Sequence, residues 1–187
     1  MVSLIQLWLP ILLSAVFVFF ASSILHMVLR FWHAPDCSGF SNEEEVGAAM
    51  RKGNAGAGMY MIPYCPPEAM KQPETQEKFK QGPVGVIFLR QPGGMNMGAM
   101  LGQWFAFCLF VSLFAAYLTG HVLAPVTPYL QVFRVVGTAA FMGYALGSVP
   151  NAIWWGHPWP STIKHVIDGL VYALITAGTF GWLWPTS

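Results

Sequence analysis

Four long apolar stretches dominate the pattern of hydrophobic and polar positions along the chain. Residues 4–29 contain no charged residue, and this run exceeds the ~20 residues that an α-helix needs to cross a hydrocarbon core. Similar stretches cover residues 98–123, 129–150 and 161–184. The pattern therefore predicts an all-α integral membrane fold with four transmembrane helices at these ranges.

The one sizeable polar segment, residues 30–97, separates the first helix from the second. It holds seven Lys/Arg and seven Asp/Glu. Acidic residues at 43–45 followed by basic residues at 51–52 predict a helix that complements its own dipole, and a proline opens a second predicted helix at 73–81. Two short β-like runs bounded by Gly or Pro cover residues 58–64 and 84–90. We predict a small α+β cytoplasmic cap between helices 1 and 2.

Composition and charge support the membrane class and indicate an orientation. Only 9% of the residues are charged, against about 25% in typical soluble domains, and a net charge of +1 gives no signal for nucleic-acid binding. Arg30, the basic residues of the long polar segment and Lys164 would share one side, whereas the hairpin at 120–129 has no Lys or Arg. By the positive-inside rule we expect a bacterial inner membrane protein with both termini outside and residues 30–97 cytoplasmic.

The fourth helix carries a polar stripe within its apolar run. A charge at membrane depth costs at least ~2.5 kcal/mol and needs a partner or water. One hypothesis is a structural pair of Lys164 and Asp168 at four-residue spacing. The other is a proton or ion relay through His165, Asp168 and Tyr172. Arg134 of the third helix lies too far from Asp168 along the helix axis for a direct salt bridge. We therefore expect its side chain to bond threonine hydroxyls or to extend to the membrane surface. The predicted polar stripe comprises Lys164, His165, Asp168, Tyr172, Thr176 and Arg134.

Small residues at helical spacing mark faces on which transmembrane helices can pack closely. The predicted packing residues of the third and fourth helices are Gly143, Gly147, Gly169, Ala173, Ala177 and Gly181. We expect Gly143 and Gly147 to meet Ala173 and Ala177.

Metal and cofactor chemistry has weak support in the sequence. Soft thioethers could hold Cu(I), although methionine is also ordinary packing material, and the candidates for this weak hypothesis are Met59, Met61, Met95 and Met97. His26 and His33 would share a helix face if the first helix continued, but two stacked histidines on one helix cannot both be axial ligands of one haem. We therefore predict no metal site and no cofactor.

The function expected from these features is structural. We predict a non-enzymatic multi-pass membrane protein that acts as a scaffold or accessory subunit of a membrane complex. Its partners would be the lipid bilayer and copies of itself or other membrane subunits, not nucleic acid. The alternative is a small transporter or proton/ion conduit that uses the polar stripe around Asp168, and copper handling through Met and Cys ligands is a third hypothesis.

Overall fold

The computed structural model describes residues 1–186 and divides into two compact units. The helical bundle comprises Met1–Cys37, Asn96–Ala152 and the chain from His157 onward. The cap comprises Ser38–Met95 together with Ile153–Gly156. The first residues of the polar segment thus belong to the bundle and not to the cap, which differs from the predicted boundary at residue 30.

Residues 1–186 contain eight α-helices and two β-strands. The helices are α1 (Trp8–Ser23), α2 (Arg30–His33), α3 (Glu43–Lys52), α4 (Pro73–Gln81), α5 (Met97–Val122), α6 (Tyr129–Tyr144), α7 (Val149–Trp155) and α8 (Trp159–Trp182). The strands are β1 (Gly58–Ile62) and β2 (Gly85–Leu89).

Within the part of the chain that the structure describes, four helical segments are long and apolar enough to cross a membrane, which confirms the predicted number. They are Trp8–Val28, Met97–Val122, Tyr129–Trp155 and Trp159–Trp182. The third runs five residues beyond its predicted end, because α7 continues the helical path after a 3₁₀ turn at Leu146–Ser148. The loop between the third and fourth segments is correspondingly short.

The cap contains the predicted combination of helices and strands. Strands β1 and β2 pair antiparallel, with Gly58 opposite Leu89 and Ile62 opposite Gly85. Helix α4 begins at Pro73, whose missing N–H costs no helical hydrogen bond in the first turn. It ends before Gly82, which adopts a left-handed φ of 64° that favours glycine.

The bundle is held by small residues between α6 and α8. A Cβ atom on Gly169 would lie 2.8 Å from the Cα of Ala145, and one on Gly137 would lie 3.2 Å from the Cβ of Ala177. Ala173 is buried against Val111 of α5. Such residues let two helix backbones approach closely enough to pack.

The predicted pairing of Gly143 and Gly147 with Ala173 and Ala177 differs from the structure. A Cβ atom built on Gly143 would lie 3.1 Å from a side-chain carbon of Val111 in α5. No atom lies within 4 Å of a Cβ atom built on Gly147. The 3₁₀ turn that follows α6 interrupts the helical repeat, so a four-residue spacing across it no longer keeps two residues on one face.

The end of the bundle that holds the N-terminus is closed by apolar packing and backbone hydrogen bonds. Leu7 and Phe180 are fully buried there. The Val2 N–H donates to the Gly120 carbonyl at 2.8 Å, and the Trp184 indole donates to the Ala124 carbonyl at 3.0 Å. We refer to this region as the closed end.

Candidate metal site

Helix α8 presents three polar side chains on one face at the opposite end of the bundle. His165, Asp168 and Tyr172 are spaced three and four residues apart, which places them on the same side of an α-helix. All three line one cavity. The structure therefore brings together this part of the predicted polar stripe.

A break after the first span brings two further histidines to the same place. A π-helical turn at Ile24–Val28 follows α1, and Leu29 leaves the helical conformation with ψ of 55°. In a straight α-helix, residues seven apart are separated by about 10.5 Å along the axis. Here the rings of His26 and His33 stack at 4.3 Å with an angle of 12° between their planes. The break therefore folds the strap, which we define as Arg30–Asp36, back toward α8.

The strap is pinned to α8 by a closed circuit of polar contacts. His33 lies between two carboxylates, with its Nδ1 2.8 Å from Asp36 and its Nε2 2.7 Å from Asp168. The Trp32 indole N–H donates to the second oxygen of Asp168 at 2.9 Å. Lys164 donates to Asp36 at 2.7 Å and lies 5.7 Å from the centre of the Trp32 ring. The expected Lys164–Asp168 pair is thus replaced by Lys164–Asp36, because the strap supplies a second carboxylate.

Asp36 is held in its ionised form by these contacts. The hydrogen bond from Lys164 lowers the pKa of the Asp36 carboxyl well below its ordinary value, and the contact with His33 adds to this, while burial opposes it. Asp36 and Asp168 together carry two negative charges if both are ionised, against one positive charge on Lys164. The cluster therefore favours further positive charge.

Four side chains of this cluster can supply ligand atoms to a single metal ion. One donor atom from each of His26, His33, His165 and Asp168 lies within 4.8 Å of the other three. Ligand atoms at about 2.1 Å from a zinc ion stand about 3.4 Å apart in a tetrahedron. Small side-chain movements would thus bring the four donors to coordinating distance.

The hydrogen bonds of the imidazoles match those that orient metal-binding histidines. His26 Nδ1 lies 3.0 Å from the Ser22 carbonyl oxygen, and His33 Nδ1 lies 2.8 Å from Asp36. A ring nitrogen that donates to a carbonyl or carboxylate leaves the other nitrogen with its lone pair available to a metal. His26 is therefore already turned with Nε2 as the available atom, whereas His33 Nε2 contacts Asp168 at 2.7 Å and must release that contact to bind a metal.

The ring of His165 contacts the rings of two other histidines. Its ring centre lies 5.3 Å from that of His33 and 5.8 Å from that of His157. His157 in turn contacts the Thr162 hydroxyl through Nδ1 at 2.9 Å. His165 can therefore be replaced without removing a hydrogen bond of the circuit described above.

A cavity of about 610 Å³ adjoins the ligand cluster. His26, His165 and Asp168 form part of its lining, and most of the remaining lining is aromatic or aliphatic. An ion bound at the cluster would thus lie beside a space large enough for a small organic molecule.

The other predicted site residues lie apart from this cluster. Thr176 donates to the Tyr172 carbonyl of its own helix at 2.9 Å, and Thr179 likewise donates to Ile175. The side chain of Arg134 is exposed, so the expected bonds from Arg134 to these hydroxyls are replaced by bonds within α8.

The methionine candidates for copper fall in different settings. Met59 and Met61 lie two residues apart on β1 with about half of each side chain exposed. Met95 is an exposed residue of the cap, and Met97 is an exposed residue that lines the cavity of the bundle.

Three residues of the cluster are absent from the site that the sequence predicts. The predicted boundary at residue 30 places His33, Asp36 and Trp32 in the cap, and the spacing of His26 and His33 argues only against a shared haem. One sequence signal for these residues is the run of Trp, His and Asp directly after a membrane-length helix. Polar side chains at such a position can contact the ends of neighbouring helices. Their meeting with α8 depends on contacts more than 125 positions apart in the chain.

Comparisons with models of protein families, with curated proteins and with solved structures gave no match to this chain.

Proposed function

We propose that the protein is an integral membrane protein that binds a divalent first-row transition metal ion through His26, His33, His165 and Asp168. The observation that carries this proposal is the convergence of four donor atoms within 4.8 Å from two separate parts of the chain. Imidazole and carboxylate together suit zinc, iron or manganese better than the soft ion Cu(I). The buried Asp168 supports the proposal, because a carboxylate at membrane depth is typical of a functional site.

The metal binds in competition with a proton in this proposal. His33 can donate through both ring nitrogens only as the charged imidazolium, and a metal ligand must be the neutral imidazole. A metal ion bound by His33 Nε2 and Asp168 would take the place of the hydrogen-bonding proton between these two atoms, which now lie 2.7 Å apart. It would also relieve the excess of negative charge left by Asp36, Asp168 and Lys164.

Zinc binding by the purified protein tests the proposal. After chelation and removal of the chelator, the protein in detergent should take up about one equivalent of Zn²⁺, because the cluster forms one site. His165→Phe keeps an aromatic ring but removes a donor nitrogen, and it should bind Zn²⁺ ~100-fold more weakly or worse, beyond the 10- to 100-fold typical of outer-shell changes. The measurement is competition titration with a coloured zinc indicator, together with elemental analysis.

His121→Phe is the matched control for the zinc experiment. His121 Nδ1 contacts the carbonyl oxygen four residues earlier at 2.8 Å, and His26 Nδ1 makes the same kind of contact at 3.0 Å. His121, however, lies in the last turn of α5, at the closed end. This variant should bind zinc like the parent. Zinc uptake that His165→Phe leaves unchanged would falsify the proposed site.

A proton or ion conduit is the second candidate function. The observation in its favour is the unbroken series of contacts from Lys164 through Asp36 and His33 to Asp168, each of 2.7 or 2.8 Å. Beyond Tyr172, Thr176 and Thr179 donate to carbonyls of their own helix, which supports a local proton store more than a path across the membrane. Proton uptake into liposomes that disappears in Asp168→Asn would favour the conduit.

The proposed orientation places both termini outside and residues 30–97 in the cytoplasm of a bacterium. The distribution of Lys and Arg supports it. With the native cysteines replaced, an impermeant thiol reagent added to intact cells should modify Thr127→Cys in the hairpin between α5 and α6 but not Gln76→Cys in the cap. The reverse labelling pattern would overturn the orientation. The scaffold or accessory-subunit role and an oligomeric assembly stay predictions of the sequence.

A further inference from the structure

The cavity beside the ligand cluster has features that the metal site does not use. One of its lining residues, Tyr172, has only 3% of its surface exposed. Its hydroxyl is the one buried side-chain nitrogen or oxygen atom without a hydrogen-bond partner among residues 1–186. A buried hydroxyl of this kind loses its hydrogen bond with water. Because Tyr172 lines the cavity, a ligand oxygen that reaches this hydroxyl would restore one.

The polar groups of the neighbouring walls are already satisfied. The Trp104 indole donates to the Ser22 hydroxyl at 2.8 Å, and that hydroxyl donates to the Phe19 carbonyl. The Tyr144 hydroxyl contacts the Cys108 carbonyl at 3.4 Å. Away from the ligand cluster, a ligand would therefore meet the Tyr172 hydroxyl as the one buried group without a hydrogen bond among the described residues.

Rings form much of the cavity wall. Tyr172 lies 5.9 Å from Trp104 and 5.6 Å from Tyr144, measured between ring centres, and His26 and His165 complete the set. These rings contact one another, and their remaining faces and edges favour contact with a planar ring. The described lining contains no Lys or Arg, so a carboxylate head would find no cationic side chain there.

The cavity is also accessible from outside the bundle. Its lining residues Met27 and Met97 are 66% and 55% exposed. In the proposed membrane topology this opening lies near the end of the spans, where lipid-soluble molecules enter from the bilayer. Its volume of about 610 Å³ is within the ordinary range of small-molecule sites.

We infer that this cavity binds a neutral, membrane-soluble ring compound with a carbonyl oxygen, the chemistry of a quinone, which accepts a hydrogen bond from Tyr172. The apolar tail of such a molecule would leave past Met27 and Met97, and its ring would contact Trp104. The inference does not require the metal, because Tyr172 is not a member of the ligand set.

Decylubiquinone binding to the protein in phosphatidylcholine nanodiscs tests the inference. The parent should show saturable quenching of tryptophan fluorescence. Tyr172→Phe should raise the Kd about 5- to 10-fold, as expected for the loss of one neutral hydrogen bond. Ser23→Phe should abolish saturable quenching, because Ser23 lines the cavity and its hydroxyl bonds only its own helix. Tyr117→Phe is the matched control, since this tyrosine of α5 is exposed and should leave the Kd unchanged.

Three outcomes would overturn the inference. The first is an unchanged Kd in Tyr172→Phe. The second is equal quenching of tryptophan fluorescence in the parent and in Ser23→Phe. Thermal unfolding in detergent must show that both variants are folded. The third is displacement of decylubiquinone by an equal concentration of palmitate, which would assign the cavity to an acyl chain. Running the titration with chelated and zinc-loaded protein separates this inference from the metal proposal, since either binding event can fail while the other is observed.

Discussion

The two ends of the bundle bury their residues in different ways. At the closed end, Leu7 and Phe180 fill the interior and backbone groups such as the Val2 N–H bond to neighbouring carbonyls. At the other end, which we call the ligand end, charged and aromatic side chains take these places, and Asp168 is buried with its oxygens bonded to Trp32 and His33. A cavity of about 610 Å³ lies beside them.

The residues that stabilise the bundle and the residues that could bind a ligand thus lie at different ends. Apolar packing is not directional, so it closes one end without selecting any particular ligand. Buried carboxylates and imidazoles require specific partners, and their arrangement at the ligand end suits a metal ion. We therefore expect changes at the closed end to lower stability without altering metal binding, and changes at the ligand end to do the reverse.

The strongest test of this separation is Asp168→Asn. The amide oxygen can still accept from Trp32, so the fold should survive, but a neutral amide is a much poorer metal ligand than a carboxylate. We expect Zn²⁺ affinity to fall ~100-fold or more, beyond the outer-shell range. Competition titration measures the affinity and circular dichroism in detergent checks the helices. Unchanged affinity in a folded variant would contradict the assignment of Asp168 as a ligand.

The second largest effect is expected at the closed end, from Gly120→Ala. The added Cβ would collide with the Val2 carbonyl oxygen, and one of the two backbones must move. Overpacking of this kind should cost about 1 to 3 kcal/mol in stability, with zinc affinity unchanged. Gly102→Ala on the same helix is the control, since no atom lies within 4 Å of its added Cβ. Equal thermal unfolding of the two variants would refute the tight contact at Gly120.

A smaller effect should follow from Asp36→Asn, which alters the hydrogen bonding of a ligand but not a ligand itself. Loss of this carboxylate weakens the orientation and basicity of His33 and leaves Lys164 without its partner. Zn²⁺ affinity should fall about 10- to 100-fold. A loss as large as that of Asp168→Asn would instead indicate that Asp36 coordinates the ion directly.

The smallest effect concerns the middle of the bundle, between the two ends. The Ser14 hydroxyl donates to the Ser112 hydroxyl at 2.9 Å across α1 and α5, and both are fully buried. A double-mutant cycle with Ser14→Ala and Ser112→Ala should give a coupling of about 0.6 kcal/mol, the average for such bonds in membrane bundles. Zinc affinity should not change in any of the three variants, and a coupled loss of zinc binding would show that the two ends are not independent.

The helical architecture was readable from the sequence because its causes are local. Length and apolarity of a run decide whether a helix can span a bilayer, and all four segments lie close to their predicted bounds. Proline at the start of α4 and the two β-like runs of the cap are local signals of the same kind. The shared face of His165, Asp168 and Tyr172 also follows from helical spacing alone.

The partners of those side chains were decided only by the tertiary structure. The sequence indicated Lys164 for Asp168 by four-residue spacing, but the strap places His33 and Trp32 on Asp168 and Asp36 on Lys164. Local spacing ranks only the neighbours within one helix. The break at Leu29 bends the chain so that donors from distant positions reach one point, and that geometry turns a polar stripe into a candidate metal site.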